Sequence, residues 1–181
     1  MNRHVRIRTN RVAQGLVLLL LLSTQLLGAA PGVRSQTKQE AFGPGSVAIA
    51  PFVFVGRVDE VLTNSFLKRL ASANTGSRIV DDATFAAQLG KGVRFRSDAP
   101  LPALLKAARA AKAEVLIVGQ ASSYRFLEAP GVKLSVRVIA VNSGNVLNRS
   151  VAEETSWTIP GAKSEAGSTA AKQIVKQWRA E

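Results

Sequence analysis

The sequence predicts a single α/β domain, a mixed sheet flanked by helices that ends in an antiparallel hairpin and a final helix. Three observations carry this. Two runs, Ser46 to Val55 and Glu114 to Ala121, are almost continuously apolar and rich in β-branched residues, as strands covered on both faces are. Segments with helical spacing separate them. From Val132 the pattern changes to strict alternation, which belongs to a strand with one wet face.

The first 35 residues read as a signal peptide or signal anchor. Arg3, Arg6, Arg8 and Arg11 precede an apolar block centred on Leu16 to Leu22, an n-region followed by an h-region. The apolar stretch falls at or below the ~20 residues needed to span a bilayer, which favours an export signal. Gly28-Ala29-Ala30 offers a cleavage site with Pro31 directly after it, and a second option lies near Ser35. If neither is cut, the leader remains as an inner-membrane anchor with its arginines in the cytoplasm. Otherwise it meets the membrane only transiently, and in both cases the domain is expected in the periplasm. Residues 36–45, polar with Gly and Pro, read as a linker to a domain over 46–181.

Ser46 to Val55 is expected to be a central strand ending near Pro51, because proline cannot donate to a ladder. Asp59 to Ala73 spaces Val61, Leu62, Ser65, Phe66 and Leu70 as an amphipathic helix, acidic at its start and basic at its end. After Asn74-Thr75-Gly76, Arg78 to Asp81 reads as a short strand. Asp82 to Leu89 reads as a short helix capped by Asp81 or Asp82 and stopped by Gly90. Pro100 and Pro102 open a helix over Ala103 to Ala113, which feeds the strand Glu114 to Ala121 and implies a partly parallel sheet.

Val132, Leu134, Val136 and Val138 then face inward while Lys133, Ser135 and Arg137 face water. Asn142 to Asn145 makes a tight turn, with Gly144 suited to positive φ, and Val146 to Trp157 returns antiparallel. Ser164 or Ser168 is expected to cap a last helix that turns Ala171, Ile174, Val175 and Trp178 inward. Both Trp157 and Trp178 are expected in the core.

The formal charge of +12 does not mark a nucleic-acid binder. Five of those charges come from Arg3, Arg6, Arg8, Arg11 and Arg34 in the first 35 residues, leaving +7 scattered over the remainder. With aromatics at 6%, no groove with stacking platforms is indicated. The chain has no cysteine, which removes thiol nucleophiles, thiolate metal sites and a lipid-attachment cysteine. Its one histidine, His4, lies in the leader. The domain therefore lacks imidazole for a Ser-His triad or a His metal site, and no enzyme, metal or cofactor is expected.

The acidic pairs Asp59-Glu60, Asp81-Asp82 and Glu153-Glu154 are explained by helix starts and an exposed strand face. Gly90-Lys91-Gly92 and Gly131-Val132-Lys133 lack the spacing of a phosphate loop and read as turns. The candidate binding surface is Ser122, Ser123, Tyr124, Arg125 and Phe126, placed just beyond a central strand, where α/β sheets hold ligands.

The order of elements resembles the TolB N-terminal-domain-like group, which includes CsgG and LpoB. The residues that carry this are Val47-Ala48-Ile49-Ala50-Pro51-Phe52, Ala113-Glu114-Val115-Leu116-Ile117-Val118-Gly119, and Val136 to Val146 with its Asn142-Ser143-Gly144-Asn145 turn. The resemblance spans about 130 residues. It implies a non-enzymatic periplasmic domain that docks on an envelope protein partner in envelope biogenesis, secretion or motility. The missing cysteine departs from the lipid tether of CsgG and LpoB, and the absence of channel-wall segments departs from a secretion pore. The alternative is a periplasmic binder of a small molecule or peptidoglycan fragment through Ser122 to Phe126.

Overall fold

The structure is a computed structural model and describes residues 43–80, 82–89 and 100–180. The leader, the linker up to residue 42, Asp81 and the segment 90–99 lie outside the described residues. Seven strands form one mixed sheet: β1 (Ser46–Ile49), β2 (Val53–Phe54), β3 (Arg57–Val58), β4 (Arg78–Ile79), β5 (Val115–Phe126), β6 (Ala129–Ala140) and β7 (Val146–Thr155). Four described helices flank it: α1 (Glu60–Ala71), α2 (Asp82–Leu89), α3 (Leu101–Ala110) and α4 (Ile159–Trp178).

Strand β1 lies between β4 and β5, parallel to both, as a fully buried apolar strand should. It stops before Pro51, and β2 continues along the same side of β5. Ile49 pairs with Ile117 whereas Val53 pairs with Gln120, so four steps on one strand run against three on the other. The extra residue forms a bulge at the proline, where a ladder donor is missing. It turns Phe52 into the core, where its N–H donates to Thr63 Oγ1 at 2.9 Å. The ring lies on Gly119: a Cβ there would stand 2.6 Å from the Phe52 ring.

On one face, α1 and α4 pack together over β5, β6 and β7. Leu62, Phe66 and Leu70 of α1 meet Ala166, Ala170 and Ile174 of α4 above Ile117, Leu134 and Val136. Phe52 and Phe66 stack edge to face, centroids 5.0 Å apart and planes at 63°. On the other face, Phe85 of α2 and Leu104, Ala107 and Ala108 of α3 cover Ala48 and Leu116. Arg109 ties α3 to the hairpin turn, its Nε donating to Val141 O at 2.9 Å.

Four expectations need correction. Helix α4 starts at Ile159 and not near Ser164 or Ser168: Thr158 is the cap, its side chain accepting from Gly161 N–H, with Pro160 in the first turn. Trp178 is buried but Trp157, in the link before that cap, is 97% exposed. Val61 faces solvent, because the inward stripe of α1 runs through Leu62, Thr63, Phe66 and Leu70. Strand β5 continues to Phe126, so Ser122 to Phe126 lie within a strand and not beyond its end.

Candidate interaction surface

Strands β5 and β6 pair along their whole length, from Val115 opposite Ala140 to Phe126 opposite Ala129. The second-face helices cover only the beginning of that ladder. Leu116 is buried and Val118 half-buried, but Gln120 and Ser122, next on the same face, are exposed. The same holds for Lys133, Ser135 and Arg137 on β6 and for Arg149, Val151 and Glu153 on β7. Beyond Val118 the sheet therefore has one face packed under α1 and α4 and one open face. This is the arrangement that alternation in β6 predicts: Val132, Leu134, Val136 and Val138 are all fully buried.

Strand β7 accompanies β6 as far as Gly131, opposite Thr155, and beyond it only Arg125–Phe126 and Ala129–Pro130 run on, so that β5 and β6 end in a short hairpin arm. Its turn, Leu127-Glu128, places Leu127 at φ 54, a left-handed conformation that a branched residue rarely adopts. Phe126 is 61% and Leu127 88% exposed, so the arm ends in a bare apolar tip. The five residues expected to bind do not converge. Strand alternation sends Ser122, Tyr124 and Phe126 to the open side and Ser123 and Arg125 to the opposite one. Tyr124 is half-buried because its ring lies across Gly131, its cross-strand partner, where a Cβ would stand 2.5 Å from ring atom Cζ. Gly131 thus lies inside β6, not in the turn expected of Gly131-Val132-Lys133, at a place where a ring needs room.

Charge on the open face falls in two cross-strand rows. Lys133 and Glu153 stand opposite each other and pair at 2.5 Å. The hydrogen bond to Glu153, then its negative charge, raises the Lys133 pKa above the usual lysine value. Further along the strands, Arg137 stands opposite Arg149. Both are exposed, and neither guanidinium has an ion-pair partner among the described residues. Residue-type patterns alone single out neither arginine. Their juxtaposition follows from the length of the Asn142 to Asn145 turn and the bulge between Val138 and Ile139, which set the register.

Of the acidic pairs, Asp59 and Glu153 have structural partners. Asp59 caps α1, accepting from Leu62 N–H at 3.0 Å, and pairs with Lys163 of α4 at 2.5 Å. Lys163 Nζ also sits 3.9 Å above the centre of the Phe54 ring. Among the described residues, no three Asp, Glu, His or Cys side chains gather as a metal-holding group.

No protein-family model matches this chain, and no curated protein matches it in sequence. Among solved structures, lipoprotein GNA1162 from Neisseria meningitidis is similar at 16% identity and TM-score 0.50, over 74% of this chain and 96% of that one. The PelC dodecamer from Paraburkholderia phytofirmans aligns at 13% identity and TM-score 0.49, over 72% and 87%. The LpoB C-terminal domain from Salmonella enterica aligns at 17% and 0.48, over 76% and 94%. What is shared with GNA1162 at 16% identity is the fold.

Proposed function

We propose that this chain is a non-enzymatic interaction domain of the bacterial cell envelope, of the TolB-N and LpoB type that its strand signatures resemble. The arginine-flanked leucine block delivers it to the periplasm, and it docks on an envelope protein through the β5–β6 arm. The fold shared with a lipoprotein, GNA1162, supports the envelope setting. The observation that carries the docking surface is the arm itself, a hairpin tip that runs past the end of β7 and of the buried core at Val132 and carries exposed Phe126 and Leu127. Apolar residues at such a tip fit the anchor of a protein contact. The division of Ser122 to Phe126 between two sides favours that over a small-ligand site, where polar groups converge.

The test is crosslinking in intact envelopes with the full chain, comparing it with the double variant Phe126→Ser, Leu127→Ser. A specific partner recovered with the parent chain and lost with the variant supports the reading. Equal recovery with both, or no adduct with either, overturns it. For the location, a C-terminal reporter that is active only in the cytosol would refute export.

A further inference from the structure

The outer edge of β7 carries a second surface, separate from the arm. Among the described residues, strand β7 pairs with β6 alone. Ser156 N–H donates to Pro130 O at 3.2 Å, so residue 156 faces β6. Backbone groups alternate along an antiparallel strand, hence Thr155, Glu153, Val151 and Arg149 direct N–H and C=O outward. Arg149 O confirms this parity, since it accepts from Gln177 Nε2 at 3.3 Å and not from β6. The side chains of these four residues stand on the open face, where Val151 is 48% exposed. A long, partly apolar edge with free backbone groups is a template for another strand.

We propose that this edge pairs with β7 of a second copy of the chain, antiparallel about a two-fold axis at Val151. Val151 then meets Val151, and Arg149 meets Glu153 of the second copy. By symmetry the Arg149–Glu153 contact occurs twice. The neighbouring registers that keep the same parity lose this. Centred on residue 150, Arg149 faces valine and Glu153 runs against the bulge at Leu147. Centred on residue 152, Arg149 faces threonine and Glu153 faces valine. The charge order along β7 is self-complementary in one register.

The second copy also supplies what the protomer lacks. Among the described residues, Arg149 is opposed only by Arg137, a like-charge pair that costs stability. A carboxylate arriving from across the axis completes the row. Glu153 already pairs with Lys133 and takes Arg149 of the other copy on its remaining oxygen lone pairs. The exposed Gln177 amide bond to Arg149 O gives way to a ladder bond. Helix α4 packs over both β6 and β7. Strands about 4.8 Å apart therefore set the two α4 helices roughly 10 Å apart, a normal packing distance.

The chain has no cysteine, so Val151→Cys in the full exported chain creates a unique thiol. Two copies would bring the Cα atoms to about 5.5 Å, within disulfide range. We expect a disulfide-linked homodimer on oxidation of intact cells. Adding Arg149→Glu, which sets two carboxylates face to face on both sides of the axis, reduces it by about tenfold or more. Adding Glu153→Arg as well restores it. No homodimer of the Val151→Cys chain, a yield indifferent to Arg149→Glu, failure of the double swap to restore it, or an adduct with a different protein in its place would each overturn the proposal. The readout is independent of the arm, because Phe126→Ser with Leu127→Ser leaves this edge intact.

Discussion

Arg137 and Arg149 face each other directly across β6 and β7, and the third residue of their row, on β5, is Val118. Two guanidinium groups in cross-strand register repel, by an amount that salt reduces. Arg137→Glu converts the repulsion into attraction. Urea denaturation at low salt and low protein concentration should show a gain of about 0.2–1 kcal/mol. In ~1 M salt, where the Debye length is about 3 Å, the gain should shrink toward zero. A loss of stability at low salt would contradict the register.

The edge-to-face contact of Phe52 and Phe66 sits where bulge, α1 and sheet meet, and both rings are fully buried. Phe66→Ala should cost about 3–5 kcal/mol in equilibrium unfolding, the range for deleting a buried aromatic ring. A cost below about 1 kcal/mol would mean that the core closes over the vacancy.

Gly167 marks the crossing of α4 over α1. A Cβ there would approach Leu62 O to 2.7 Å and meet Ser65 Oγ closer still, and a backbone carbonyl cannot swing away. Gly167→Val should therefore destabilise by about 1–3 kcal/mol through overpacking, against the gain that any residue other than glycine usually brings to a helix. Thermal unfolding against the parent chain reads this directly.

Asp59 has two separable jobs: capping α1 and pairing with Lys163. Asp59→Asn keeps a side-chain acceptor for Leu62 N–H and gives up the ion pair. Asp59→Ala gives up both and should cost a further ~0.5–2 kcal/mol, the value of an N-cap. Equal losses in the two variants would show that the cap bond contributes nothing.

Lys133 titrates above the ordinary lysine value of 10.5 in the folded chain because Glu153 holds its proton. A raised folded pKa gives stabilisation that is present in full below the unfolded pKa and disappears as pH rises through the folded one. The stability difference between the parent and Lys133→Gln should be constant from neutral pH to about 10 and vanish on further alkalinisation. The pair is exposed to solvent, so the effect is small.

Much of the fold could be read from residue order. The apolar run at Val47 to Ile49, the alternation from Val132 to Val138 and the turn at Gly144, with φ 76, each correspond to the observed elements. Local signals stop where tertiary geometry decides. Strand β5 outlasts its apolar run because β6 pairs with polar Ser122 and Ser123 as readily as with Ile117; backbone bonds do not depend on side chains. Helix α4 begins five residues before Ser164 because Thr158 precedes Pro160, and two plausible serines further on obscured that cap. Of the candidate site, the division of Ser122 to Phe126 between two sides was not legible, since it needs the extent of the strand. The Arg137–Arg149 row and the outward parity of β7 depend on register, which one bulge can change.

Strand β5 is one unbroken segment from Val115 in the buried parallel sheet to Phe126 at the bare tip. No hinge separates the two ends, so the arm is a lever whose inner limb is fixed by β1, β2 and β6. Its ordering entropy is incurred when the domain folds and not when it meets another molecule, which leaves more of the contact energy available for affinity. A load on Phe126 would be felt at Ile117, and strain at the extremity would register as altered amide exchange under α1.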